Sequence, residues 1–179
     1  MKKILPLLLS LILTLTACSA SEKNFTFESE AENGEKLTLS FAASPLEGNP
    51  SVYISDVTST KITITNEEGR TYDDVLRTPV SGQGSFSYYS EYDIPIKLID
   101  CGEGVNTGLV GIPDDNGIYH TTIYVYRDEI FTIITDLFPE VKAIDDITLD
   151  GNIISFYDGS EEKNVSYRID FERFTAKRV

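Results

Sequence analysis

Val165-Ser166-Tyr167-Arg168-Ile169-Asp170-Phe171-Glu172 alternates without a fault, four apolar side chains interleaved with four polar ones. A strict period of two describes an antiparallel strand with one buried and one wet face. The residues before it repeat the pattern. Ile153 to Tyr157 and Ile144 to Leu149 read as two more strands, separated by the turn signals Asp150-Gly151-Asn152 and Asp158-Gly159-Ser160. Earlier still, Ile123 and Val125 face one way and Tyr124 and Tyr126 the other. Ile130 to Thr135 fits a returning strand, although Ile130, Ile133, Ile134 and Leu137 also suit a helix face; β-branched content favours the strand. Ile94, Ile96 and Leu98 alternate around Pro95, which cannot donate to a ladder, so that strand belongs at an edge.

The first half behaves alike. Phe25 and Phe27, then Leu37, Leu39 and Phe41, flank Asn33-Gly34, a dipeptide suited to positive φ, and predict a hairpin over residues 24–42. Val52 and Ile54 begin another strand, and Ile62 and Ile64 mark a further one. About ten short strands with at most one short helix predict an all-β fold, an antiparallel β-sandwich or a barrel-like meander.

The N-terminus carries a different signal. Lys2 and Lys3 precede an apolar run from Ile4 to Leu15, shorter than the ~20 residues that span a bilayer and broken by Pro6. It ends in Leu15-Thr16-Ala17-Cys18. This arrangement resembles the signal peptide and lipobox of bacterial lipoproteins. The resemblance implies that residues 1–17 are removed and that Cys18 is the lipid attachment site, carrying a diacylglyceryl group. It places the protein in the cell envelope: on the outer membrane where the cell has one, otherwise on the outer face of the cytoplasmic membrane. Residues 18–23 are then a short tether and 24–179 a single β-rich domain. Such a tether reaches at most ~20 Å, which keeps the domain close to the membrane that its lipid enters.

Charge narrows the partners. The 179 residues hold 15 Lys and Arg against 29 Asp and Glu, a net −14. Cleavage before Cys18 leaves 162 residues and, with Lys2 and Lys3 gone, a net −16. Nucleic acid is an unsuitable partner for such a chain. An envelope protein, a ligand or a basic partner remains.

Chemistry-bearing residues are few. Cys101 has no disulfide partner once Cys18 is acylated and reads as a buried, inert thiol. His120 is the only His and reads as a surface residue; with Cys101 it would supply the one nucleophile–base pair of an envelope enzyme, the alternative to a binding protein. Asp100 to Gly117 holds five of the 12 Gly and no Lys or Arg, and reads as a mobile or bulged loop rather than a phosphate cradle. Asp114-Asp115-Asn116-Gly117 reads as turn chemistry rather than a calcium loop. No metal and no cofactor is implied. The sequence from Gly82 to Tyr92 combines Tyr, Ser and Gly like a paratope. Tyr88, Tyr89 and Tyr92, extended by Tyr124 and Tyr126, are the candidate partner-binding residues, with a Tyr-rich edge strand as the competing reading. The expectation is a lipid-anchored, non-enzymatic binding domain, with an acidic inhibitor or structural lipoprotein as a further alternative.

Overall fold

A computed structural model describes residues 21–77 and 84–179 of the chain. Cys18, the apolar run before it and Gly82 lie outside the described residues. The fold is all-β. Among the described residues it contains fifteen strands and two single-turn 3-10 segments, arranged as three antiparallel sheets.

The N-terminal sheet comprises β1 (Lys23–Glu30), β2 (Lys36–Leu46), β3 (Asn49–Asp56), β4 (Lys61–Thr65), β5 (Thr71–Val75) and β6 (Ser85–Tyr89). The expected hairpin at Asn33-Gly34 is β1–β2, with Gly34 at φ 84°. β1 begins one residue inside the predicted tether. β3 and β4 run end to end along one edge of β2, with the residues Asp56 to Thr60 inserted opposite Phe41 and Ala42. Asp56 makes that insertion possible. Its side chain accepts from Thr58 N at 2.8 Å, capping the 3-10 turn Val57–Ser59. The buried hydroxyls of Ser55 and Thr60 donate to the carbonyls of Ala42 and Asp56 at 2.9 and 3.0 Å.

The middle sheet comprises β7 (Ile96–Asp100), β8 (Val105–Pro113), β9 (Tyr119–Arg127), β10 (Ile130–Ile133) and β11 (Glu140–Val141). β7 is an edge strand, as Pro95 requires. The C-terminal sheet is a meander of β12 (Thr148–Asp150), β13 (Ile153–Asp158), β14 (Lys163–Asp170) and β15 (Thr175–Arg178). Two expectations fail here. Ile144 to Leu149 is not one strand: Ile144–Asp146 is a 3-10 turn, and only Thr148–Asp150 joins the sheet. Ile144 and Ile147 are both buried, three residues apart, which is the 3-10 period and not the strand period. Asp100 to Gly117 is not a loop either, because it contains β8, every residue of which is buried.

β8 is buried because the middle sheet is covered on both faces. Gly108, Val110 and Ile112 face one core with Tyr124 and Tyr126, against Leu37, Leu39, Phe41, Ile62 and Ile64 of the N-terminal sheet. Val105, Leu109, Ile123 and Val125 face a second core, against Ile154, Phe156, Val165 and Ile169 of the C-terminal sheet. The first core also holds a ring cluster in which Phe25, Phe27, Phe86 and Tyr88 surround Phe41. Its flanks are tied by Leu98 N donating to Ser29 Oγ at 3.1 Å, by Tyr124 OH donating to Val75 O at 3.2 Å, and by Thr122 Oγ1 donating to Arg77 O at 2.8 Å.

The first two sheets approach closely at Gly108, where a Cβ would lie 2.7 Å from Leu37 Cδ2. Leu37 is fully buried and cannot retreat without disturbing its neighbours. Gly108→Ala is therefore expected to destabilise the domain by about 1–3 kcal/mol through overpacking, read as a lower urea midpoint with an unchanged slope. An unchanged midpoint would show that the sheets do not meet there.

Candidate functional site

The strand that should complete the middle sheet beside β9 is interrupted. After Ile133 the chain leaves β9, and it returns at Glu140. Ile134 N still donates to Ile123 O and Thr121 N to Pro139 O, both at 2.8 Å, so the excursion is pinned at each end. Pro139 has no N–H and cannot continue a ladder. Asp136 reaches across to the C-terminal sheet and accepts from Ala176 N at 3.1 Å.

Between this excursion and the β13–β14 hairpin lies a groove of about 990 Å³. Leu137, Val141 and Phe156, all buried, form its floor, and the Tyr157 ring is 52% exposed at its mouth. Phe156 and Tyr167 stack with ring planes 4° apart and centroids at 5.9 Å. Asp136, Glu140, Asp146 and Asp158 contribute four carboxyl groups to the lining, against the single cation of Lys142. Asp158 is held below the usual carboxylate range by the Ser160 hydroxyl and by the N–H groups of Glu161 and Ser160. An apolar, aromatic floor beneath an anionic rim can take an apolar body that carries positive charge.

His120 stands behind one wall of this groove. Its side chain is 13% exposed, which corrects the expectation of a surface His. Nε2 lies 3.5 Å from Asp114 Oδ2, and Nδ1 lies 3.3 Å from Glu140 Oε1. Burial works to raise the Asp114 carboxyl. The N–H groups of Ile118 and Asn116, with His120, outweigh it and hold Asp114 below its ordinary value. Those same bonds make Asp114 to Gly117 a turn, as the sequence indicates, with Gly117 at φ 73°.

The tyrosines divide. Tyr124 is fully buried and Tyr88 and Tyr126 are 6% exposed, all three within the core between the first two sheets. They are not a partner-binding surface. Alternation does point Tyr124 and Tyr126 away from Ile123 and Val125, but into the first core rather than into water. Burial pushes the phenols of Tyr88, Tyr124 and Tyr126 upward. Tyr89 and Tyr92 remain half-buried on the edge of the N-terminal sheet, their ring centroids 6.5 Å apart.

Cys101 is half-buried against the second core, its Sγ 3.2 Å from Thr107 Oγ1. Burial pushes its thiol above the ordinary 9.0, so it is protonated at neutral pH. It does not meet His120. Cys101 N bonds Val105 O at one end of β8, whereas His120 pairs with Ile112 near the other. Seven residues of strand separate those rungs, roughly 23 Å.

No family model, curated protein or solved structure matches this chain. The groove must therefore be judged on its own chemistry. Sequence reading missed it because its residues come from well-separated stretches of the chain; the local signal was Leu137-Phe138-Pro139, three apolar residues that neither alternate nor pair.

One buried carboxyl lies far from the groove. Glu35 is 8% exposed and accepts a hydrogen bond from Asn106 Nδ2, joining the first turn to β8, while Asn106 Oδ1 finds no protein donor. Burial raises the Glu35 carboxyl above 4.5. A carboxyl raised in the folded state contributes its stability fully below the unfolded value and loses it as pH rises through the folded one. Glu35→Gln keeps the acceptor and adds a donor for Asn106 Oδ1. The variant is expected to be more stable than the parent by about 1 kcal/mol at pH 7, with the difference closing below pH 4.5. Denaturant midpoints across that pH range check this, and a variant weaker at pH 7 would contradict it.

Proposed function

We propose that this chain is a lipid-anchored lipoprotein of the bacterial cell envelope whose β domain is a non-enzymatic binding module, taking a cationic segment of a partner protein in the groove beside β11. The observation that carries the reading is the groove itself: four carboxyl groups around an apolar, aromatic floor. A Lys or Arg side chain suits it, since the aliphatic stem covers apolar surface while the charged head stays near the rim. The Tyr157 ring offers a cation–π face at the mouth. The net −14 of the chain favours encounter with a basic partner at low salt.

The anchor supports the location. Lys2, Lys3, the apolar run and Cys18 after Ala17 form the segment that resembles a lipoprotein signal, and β1 starts at Lys23, five residues beyond the Cys. Lys23 is fixed at once, its Nζ donating to Tyr53 OH at 2.7 Å. The domain would therefore ride close to its membrane. The non-enzymatic part of the reading is supported by the protonated, half-buried Cys101 and by its separation from His120.

Two variants separate anchor from groove. With a fluorescent hexalysine peptide as probe, Tyr157→Ala with Asp158→Asn is expected to weaken binding at least tenfold, about 1.4 kcal/mol, while the protein stays in the membrane fraction. Cys18→Ala is expected to move the protein out of that fraction and leave peptide affinity unchanged. Equal peptide affinity in the groove variant and the parent would remove the groove, and membrane retention of Cys18→Ala would remove the lipid.

A further inference from the structure

At the end of the C-terminal sheet opposite the groove is a second concavity, about 480 Å³, and its charge is reversed. Arg127, Arg168, Arg173 and Lys177 line it, with Asp170 the single acidic side chain. Four of the 15 Lys and Arg of a chain carrying 29 acids thus converge on one pocket.

The register sharpens the point. Arg168 and Lys177 stand directly opposite each other on β14 and β15. Like charges facing across a ladder destabilise it, and neither makes an ion pair among the described residues. Their neighbours behave differently. Arg178 and Lys163 both pair with Glu161, at 2.5 and 2.7 Å. Asp170 Oδ1 accepts the N–H groups of Glu172 and Arg173, both at 3.0 Å, to build the β14–β15 turn, and its one charge offsets only one of the four cations. Arg173 touches it only at 3.9 Å, through Nε. Arg127 pairs with Asp128 through Nε at 3.1 Å. The turn that carries Arg173 is also set: Phe174 adopts φ 53° and its ring packs on the second core. Phe171 and Val179 supply apolar wall.

We infer that this pocket binds a phosphate oxyanion, held by the guanidinium forks of Arg168 and Arg173 and the ammonium of Lys177. Planar guanidinium groups match the geometry of phosphate oxygens, and Lys adds a point charge. The net negative charge of the domain does not forbid this, because at physiological salt fields are screened beyond ~8 Å. The volume suits a phosphorylated small molecule or one phosphate unit of a larger one. The pair Arg168–Lys177 is tolerated without an acid because the ligand supplies the anion.

The test uses the full chain in non-ionic detergent, melted in potassium phosphate and in potassium chloride of equal ionic strength. Phosphate at about 20 mM should raise the melting temperature of the parent by about 3 °C beyond the chloride control. Arg168→Gln with Lys177→Gln should melt higher than the parent in chloride, since the repulsion is gone, and should lose the phosphate-specific rise. Arg173→Gln, placed in the turn rather than the ladder, should lose most of that rise and guards against a failure of the double variant to fold. Glycerol 3-phosphate and micelles doped with phosphatidylglycerol distinguish the sources: a response to the first names a soluble or polymer phosphate, and a response to the second alone names a lipid headgroup. The same phosphate rise in parent and variants would be a general salting effect and would overturn the site.

Discussion

The burial of the β8–β9 ladder on both faces is the constraint on which the structure depends. These two strands give the N-terminal sheet something to cover on one side and the C-terminal sheet something to cover on the other. Neither outer sheet has a second apolar face. β13, for example, alternates Ile154 and Phe156 inward with the half-buried Ser155 and the exposed Tyr157 outward. Without the middle sheet each outer layer would leave its core side in water, at roughly 25 cal/mol for every Å² exposed. The small residues of β8 permit this arrangement, since Gly108 lies under Leu37 and Gly111 lies against Pro95 and Tyr119.

The same constraint explains what could be read from the sequence. Hairpins with one wet face were legible: β1–β2 through Asn33-Gly34 and β13–β14 through Asp158-Gly159-Ser160. β8 was not. A strand buried on both faces has no reason to alternate. Its Asn106, Thr107, Gly108 and Gly111 look like loop chemistry until the neighbouring sheets are in place. Tyr124 and Tyr126 misled for the same reason, because a dyad pattern gives two faces without saying that either is wet. Strand count was underestimated at β5, β8, β11 and β15, which are either buried on both faces, as β8 is, or too short or too polar to show one-sided alternation. The groove and the basic pocket both depend on tertiary placement. Facing of Arg168 and Lys177 follows from the β14–β15 register, and β15 carries little apolar pattern to announce it.

Both concavities lie at the ends of one layer. The groove sits by the β13–β14 turn and the start of β9; the basic pocket sits by the β14–β15 turn and the end of β9. β13 alone spans roughly 20 Å between those ends, well beyond the screening length at physiological salt. A cation at one end and an oxyanion at the other would therefore bind with little electrostatic coupling. In the proposed setting, a domain held at its first strand by a short lipid tether offers two charge-selective sites on the part of the fold furthest along the chain from the anchor.

Native-state hydrogen exchange resolved by residue tests the central claim, that the middle sheet is the shared wall of both cores. The backbone amides of β8 and β9 are predicted to exchange only through global unfolding, with one common opening free energy, while amides of β12 and β15 open at lower cost. Exchange of β8 and β9 through a smaller opening, while β13 and β14 stay protected, would contradict the account.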